Sequence, residues 1–340
     1  MKLSYPALAL TLFGGCSTAA EMVTVDAGSA DRALVNDVAA VDAGTGDALV
    51  ATDVPVLEDA VSATDSGASA DVSPTVARLI AERPYRLVVP DDNVPTRAAP
   101  LLILLHGYGA SGLLQELYFR MTREANARGI LYAIPDGTLD AAVRRFWNAT
   151  DACCDFAQRG VNDVAYLDAI IDDVSARYAV DPRRIFLLGH SNGGFMAHRM
   201  ACDRAGRIAA IVSLAGATFT DASRCAPTEP VAVLQVHGTA DPTIAYNGGL
   251  NFGSGYPSAA TSVARWAGYN RCASTTTSGT TFDLDTVIPG VETRISRYDG
   301  CMGGAAELWS IEGGLHLPAL GPQWSVLTLD WLMAHPKPAR

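Results

Sequence analysis

Residues 185–197 constrain the fold more than any other stretch: Ile185, Phe186, Leu187 and Leu188 run into Gly189-His190-Ser191-Asn192-Gly193, and Gly194, Phe195, Met196 and Ala197 follow without a break. An apolar β-prone run, a Gly-x-Ser-x-Gly turn and an apolar helix-compatible stretch make a strand, a sharp turn and a helix. Ser191 sits at the turn, where an L-residue is strained. The glycines two places to either side are needed because a side chain there would strike the neighbouring strand or helix. A serine presented in this way is a candidate nucleophile, provided that a base and a carboxylate lie within reach.

The rest of the chain supplies a sheet for that turn to stand on. Residues 86–89 read as a first strand, and 100–105 are continuously apolar, as in a strand covered on both faces. Helical spacing over 113–127 predicts a helix capped by Gly129, and a short strand at 130–134 is stopped by Pro135-Asp136-Gly137. A helix over 161–178, with Val164, Leu167, Ile170, Ile171 and Val174 on one face, leads into the elbow strand. Strands at 208–214, 231–236 and 307–311 and helices at 259–269 and 324–333 continue the alternation. This rhythm predicts one doubly wound, mostly parallel sheet with functional loops at the carboxyl ends of its strands.

The beginning of the chain has a different character. Residues 1–15 carry one charge, Lys2, ahead of an apolar stretch too short to span a bilayer, and read as a secretory signal. Gly14 and Gly15 before Cys16 predict cleavage of the lipoprotein type with Cys16 as lipid acceptor; Phe13 stands where leucine is usual, and a plain secretory signal is the competing reading. Residues 16–75 form a tether of Ala, Val, Asp, Ser, Thr and Gly that lacks the apolar surface to offset the entropy of ordering. Of the net charge of −11, this segment carries −10, from eleven acidic residues against Arg32. The domain at 76–340 is therefore nearly neutral. It offers no basic surface for nucleic acid, and membrane attachment is expected only through Cys16.

Six cysteines remain besides Cys16: Cys153, Cys154, Cys202, Cys225, Cys272 and Cys301. An even count behind a secretory signal predicts disulfides. Cys272 with Cys301, closing a Ser/Thr-rich excursion, is the preferred pair, and Cys202 with Cys225, bracketing one strand, is the next. Cys153 and Cys154 form either a vicinal bridge or two partners for other sites. A zinc site is not expected, because no Cys-x-x-Cys or helix-spaced His pair is present.

Ser191 needs an imidazole oriented by a carboxylate. Beyond the elbow helix lie His237, His316 and His335, and His316 is the candidate base: it follows a strand in Glu312-Gly313-Gly314-Leu315-His316-Leu317-Pro318, whose glycines let the loop bring the ring over the sheet. Asp241, a few residues past the strand at 231–236 in His237-Gly238-Thr239-Ala240-Asp241-Pro242, is the candidate acid; a turn aspartate before proline is the plain alternative. The backbone N–H groups of Asn192 and Tyr108 are the candidate oxyanion donors. The glycines around Tyr108 do not have dinucleotide-binding spacing, and no cofactor or metal is expected. His106 and His190 read as braces for their turns, Asp163 as an acid at a helix start, and Phe146, Trp147 and Tyr108 as candidate pocket walls.

Leu104-Leu105-His106-Gly107-Tyr108-Gly109, Phe146-Trp147-Asn148, Cys153-Cys154, Asn162-Asp163-Val164, the elbow, His237-Gly238-Thr239-Ala240-Asp241 and Gly313-Gly314-Leu315-His316 together resemble the secreted esterases that include poly(3-hydroxybutyrate) depolymerases, feruloyl esterases and acetylxylan esterases. The resemblance spans residues 85–331 and implies an α/β-hydrolase fold, a Ser191–Asp241–His316 triad, no metal and an extracellular ester substrate. Such esterases commonly carry Gly-Gly-Gly-His followed by Trp-Pro, where this chain has Leu315 before His316 and Leu317-Pro318 after it. A serine peptidase on the same fold and a surface-binding protein without turnover are the alternative readings.

Overall fold

The computed structural model describes residues 73–339. The signal expected over 1–15, Cys16 and nearly all of the tether expected over 16–75 lie outside the described residues. The chain enters with α1 (Pro74–Glu82), two residues ahead of the expected domain start, with proline in the first turn, where a missing N–H is harmless. A short β1 (Arg86–Val88) precedes β2 (Ala99–Leu105), which is buried along its whole length. The single helix expected over 113–127 is two, α2 (Gly112–Phe119) and α3 (Thr122–Ala127). The break falls at Arg120, whose φ of 55° ends a helix, and the Glu116 carboxylate accepts from the N–H groups of Met121 and Thr122 to start the next.

β3 (Leu131–Ile134) is followed by a small antiparallel hairpin of β4 (Thr138–Leu139) and β5 (Arg145–Phe146). α4 (Asp163–Arg177), begun by Asn162 Oδ1 accepting from Ala165 N–H, leads to β6 (Val180–His190) and α5 (Asn192–Asp203), the two arms of the elbow. Then come β7 (Ala210–Leu214), β8 (Ala232–Gly238), a second hairpin of β9 (Gly249–Asn251) and β10 (Ser254–Tyr256), and α6 (Ala259–Tyr269). β11 (Ser274–Phe282), β12 (Thr293–Asp299), β13 (Ala306–Ile311) and α7 (Gln323–Met333) close the chain.

Nine strands form one mixed, mostly parallel sheet in the order β1-β3-β2-β6-β7-β8-β13-β12-β11. The six from β3 to β13 run parallel, and the antiparallel pairs lie at the two edges. Each central strand feeds both layers of core. In β2, Leu101, Ile103 and Leu105 pack on the face covered by α4, α5 and α6, while Leu102 and Leu104 pack with Phe119, Trp324 and Leu329 on the face covered by α2, α3 and α7. This two-sided burial accounts for the unbroken apolar run in the sequence.

The Ser/Thr-rich excursion expected between Cys272 and Cys301 is instead an antiparallel ribbon, β11 with β12, that extends the sheet. β11 is exposed along most of its length, so its sequence shows none of the apolar alternation of a half-buried strand. Among the described residues three disulfides are formed, Cys153–Cys154, Cys202–Cys225 and Cys272–Cys301. Among the described residues no helix is long and apolar enough to cross a membrane, and no cluster of His, Cys, Asp or Glu is arranged to hold a metal ion.

Candidate active site

The strand–turn–helix expected at Ser191 is present, and Ser191 adopts φ 53° and ψ −118° with its N–H bonded to Leu214 O at 2.8 Å. The flanking glycines are sterically required. A Cβ on Gly193 would lie 2.1 Å from Leu105 O, and one on Gly189 would lie 2.2 Å from Gly193 O. The elbow is further clasped by Asn192, whose side-chain oxygen accepts from Trp147 N–H (2.7 Å) and whose amide donates to Trp147 O (2.8 Å). This side-chain role lies outside what the motif alone signals, since the motif uses only the backbone of that residue.

Asp241 and His316 come from loops after β8 and β13, which are neighbours in the sheet. His316 Nδ1 lies 2.8 Å from Asp241 Oδ2, and Asp241 Oδ1 accepts from the N–H groups of Thr243 and Ile244 at 2.8 and 2.9 Å. His237 Nε2 approaches the same Oδ2 to 3.4 Å. Burial would raise the carboxyl's pKa, but the hydrogen bonds from His237 and His316 outweigh it and hold the group far below the usual carboxylate range, so Asp241 is ionised. The two loops are zipped together. Ala240 N–H donates to Gly314 O, Gly313 N–H to Thr239 Oγ1, and Gly238 passes so near Gly314 O that a Cβ there would lie 2.2 Å from it. His316 is braced from the other side, where His190 Nε2 lies 3.0 Å from its carbonyl and the Tyr118 hydroxyl donates to Pro318 O at 2.7 Å. Burial, reinforced by the His316 ring alongside, lowers the His190 pKa to about 3, so that ring is a neutral prop.

The loop after β2 runs against the elbow: a Cβ on Gly107 would lie 3.6 Å from Ser191 Cβ. Gly107 N–H donates to Gln115 Oε1 and Gly109 N–H to Arg145 O, whereas between them the N–H of Tyr108 takes no acceptor among the described residues. Asn192 N–H, at the first position of α5, has no intrahelical acceptor. His106 locks this loop by accepting the N–H of Gly137 at Nε2, and burial lowers its pKa to about 4.

Of the three residues expected to wall a pocket, Tyr108 and Phe146 line a cleft and Trp147 does not. Trp147 is fully buried, with its indole N–H bonded to His106 O and its ring 5.0 Å from that of His106, and Phe146, though buried, contributes to the cleft lining. Asn148 and Asp163 are likewise internal clamps, the Asp163 carboxylate holding Asn148 N–H and Arg83. A cleft of about 300 Å³ opens beside Tyr108 and is walled by Tyr108, Phe156, Phe252, Arg144 and Arg159. Phe156 and Phe252 have ring centroids 4.2 Å apart, and Tyr108 meets Phe156 edge-on at 5.4 Å. Phe252 is 81% exposed at the tip of the β9–β10 hairpin. Neither Phe156 nor Phe252 has a sequence signal, because both stand in loops without periodicity. Leu315 and Leu317, on either side of His316, are exposed.

Residues 92–263, half of the chain, match the phospholipase/carboxylesterase family. The chain belongs to that family. The matched segment includes Ser191 and Asp241 and ends before His316. Among curated proteins, this family member is 29% identical to the putative esterase NocK of Nocardia uniformis subsp. tsuyamanensis over 53% of its own length and 52% of the relative's. It is 30% identical to feruloyl esterase B of Piromyces equi over 65% of its own length and 40% of the relative's. The chain thus spans about half the length of the curated relatives it matches. Among solved structures, an acetyl xylan esterase from Aspergillus awamori superimposes with a TM-score of 0.55 at 14% identity, covering 73% of this chain and 93% of that one, which establishes the α/β-hydrolase fold.

Proposed function

We propose that this chain is a secreted serine carboxylesterase, with Ser191 as nucleophile, His316 as base, Asp241 as the orienting acid and the N–H groups of Tyr108 and Asn192 as oxyanion donors. The observation that carries the reading is the 2.8 Å bond between His316 Nδ1 and Asp241 Oδ2, formed across two zipped loops at the same end of the sheet as the strained Ser191 turn. His316 Nε2 takes the Ser191 proton as Oγ attacks the ester carbonyl, the two N–H groups stabilise the oxyanion, and His316 returns the proton to the departing alcohol. Water, activated by the same imidazole, then releases the acid and restores Ser191.

The aromatic walls around Tyr108 favour an aromatic acyl group, and the feruloyl esterase relative supports this choice. Three disulfides among the described residues fit an oxidising compartment, in which residues 16–75 would serve as a tether and Cys16 as its lipid-bearing end. The test is product release by the full chain from methyl ferulate and from a 3-hydroxybutyrate trimer. Ser191→Ala is expected to lower kcat by at least about 10⁴-fold. Turnover retained by that variant rules out the serine mechanism, and turnover of the trimer alone rules out the aromatic substrate class.

A further inference from the structure

A file of buried polar side chains links α6, through α5 and β8, to Asp241. It starts at Trp266 on α6, whose indole N–H donates to His198 Nδ1 at 3.0 Å. His198 Nε2 lies 2.9 Å from Gln235 Oε1, and Gln235 Nε2 reaches Gly216 O at 2.9 Å and His237 Nδ1 at 3.1 Å. His237 Nε2 in turn lies 2.7 Å from Ile244 O and 3.4 Å from Asp241 Oδ2. All four side chains are buried, on elements that otherwise carry apolar core. Gln235 interrupts an apolar strand, a polar residue at a core position that packing alone does not call for.

The proton pattern is fixed at every link. An indole N–H can only donate, so His198 Nδ1 accepts and Nε2 carries the hydrogen. A carbonyl can only accept, so the Gln235 amide nitrogen faces Gly216 O and its oxygen faces His198. The same nitrogen points a hydrogen at His237 Nδ1, which must accept, and the one proton of His237 sits on Nε2, aimed at Ile244 O and Asp241. Burial lowers the His198 pKa to about 4, in keeping with a ring whose second nitrogen meets a donor.

Asp241 Oδ2 therefore receives two imidazoles that are not equivalent. His316 engages it through Nδ1, and among the described residues nothing holds its Nε2. The other groups facing this cluster are the neutral His190 ring, 5.0 Å from His316, and Tyr246, edge-on to His237 with its hydroxyl bonded to Ser310. We propose that Trp266, His198 and Gln235 lock His237 in its one-proton, Nε2–H form, so that of the two imidazoles sharing Asp241 only His316 can take up the Ser191 proton. His237 is then a positioning residue: it fixes the Asp241 carboxylate without competing for its charge. The proposal rests on the triad reading above.

The direct test is nitrogen NMR of the full chain labelled with ¹⁵N-histidine at pH 8, with His198 and His237 assigned by single His→Gln variants. Both rings are expected to show a bare Nδ1 and a protonated Nε2; a doubly protonated or Nδ1–H His237 overturns the lock. The second test is Gln235→Glu, which replaces the amide hydrogen facing His237 with a carboxylate oxygen and invites a proton onto Nδ1. A doubly protonated His237 with kcat for methyl ferulate reduced at least about tenfold and KM unchanged within about twofold supports the proposal. Unchanged kcat with His237 doubly protonated overturns it. If Gln235→Glu does not fold, the spectrum of the unmodified chain decides alone. Esterase activity retained in Ser191→Ala instead removes the triad reading, whatever the state of His237.

Discussion

Phe252 projects from a hairpin tip where nothing in the fold requires an aromatic ring; its ring partner among the described residues is Phe156, which lines the same cleft. Phe252→Ala therefore leaves stability within about 0.5 kcal/mol. The expected outcome in steady-state kinetics is a KM for methyl ferulate raised about five- to tenfold with the KM for 4-nitrophenyl acetate unchanged, since stacking on an aromatic ring is worth about 1 kcal/mol. Equal effects on both esters would place the acyl group elsewhere. At this scale the sequence is legible where chemistry and backbone geometry coincide: Ser191 between two glycines, His316 after two more, and Asp241 past a buried strand each carry a local pattern. Trp147 is buried in the core and outside the cleft lining, and an aromatic residue next to a polar excursion reads the same in sequence whether it faces solvent or core. Phe156, Phe252 and the Asn192 side chain act through partners more than forty residues away or in irregular loops, and no window of sequence contains the contact.

At the scale of elements, the six parallel strands are readable because burial on both faces leaves them mostly apolar, in an unbroken run in β2, whereas β11 is an edge strand of Ser and Thr that resembles a loop. Its β-branched threonines have the propensity for a strand, and pairing with β12 rather than burial realises it. The break between α2 and α3 is hidden for a related reason: helical spacing continues through Arg120, and only the Glu116 carboxylate turning back on the next two N–H groups reveals the restart. The Cys202–Cys225 bridge ties the end of α5 to the turn that precedes β8 and spans 23 residues. Replacing both cysteines by serine is expected to cost about 3 kcal/mol in urea unfolding, while kcat for methyl ferulate stays within about twofold, because the elbow end of α5 is held independently by Asn192 and Trp147.

For the whole molecule, acid stability is governed by buried histidines and not by the acidic segment that dominates the net charge. His106, His190 and His198 have pKa values lowered from 6.5 to about 4, 3 and 4, each mainly by burial. A lowered histidine pKa means that the unfolded chain binds the extra proton first. The stability is complete above pH 6.5 and is lost as pH falls toward 4, each ring contributing on the order of 2–3 kcal/mol by that point. Asp241, held below 3.8, adds its loss only at lower pH. Urea midpoints should therefore decline steadily from pH 6.5 downward, and a flat profile to pH 4 would show that these rings are not neutral in the folded state. The layered sheet also divides the site into unequal halves. The acid and histidine loops, stitched by Thr239, Gly313 and Gly314, form one cassette on adjacent strands, so neither can change length or register without dragging the other. The cleft walls instead come from the loop after β2 with Tyr108, the β4–β5 hairpin with Arg144, the loop after β5 with Phe156 and Arg159, and the β9–β10 hairpin with Phe252, all outside the nine-stranded sheet. On the proposed reading, a change of ester would be written into those peripheral loops and hairpins, while the half that carries Asp241 and His316 could be inherited intact.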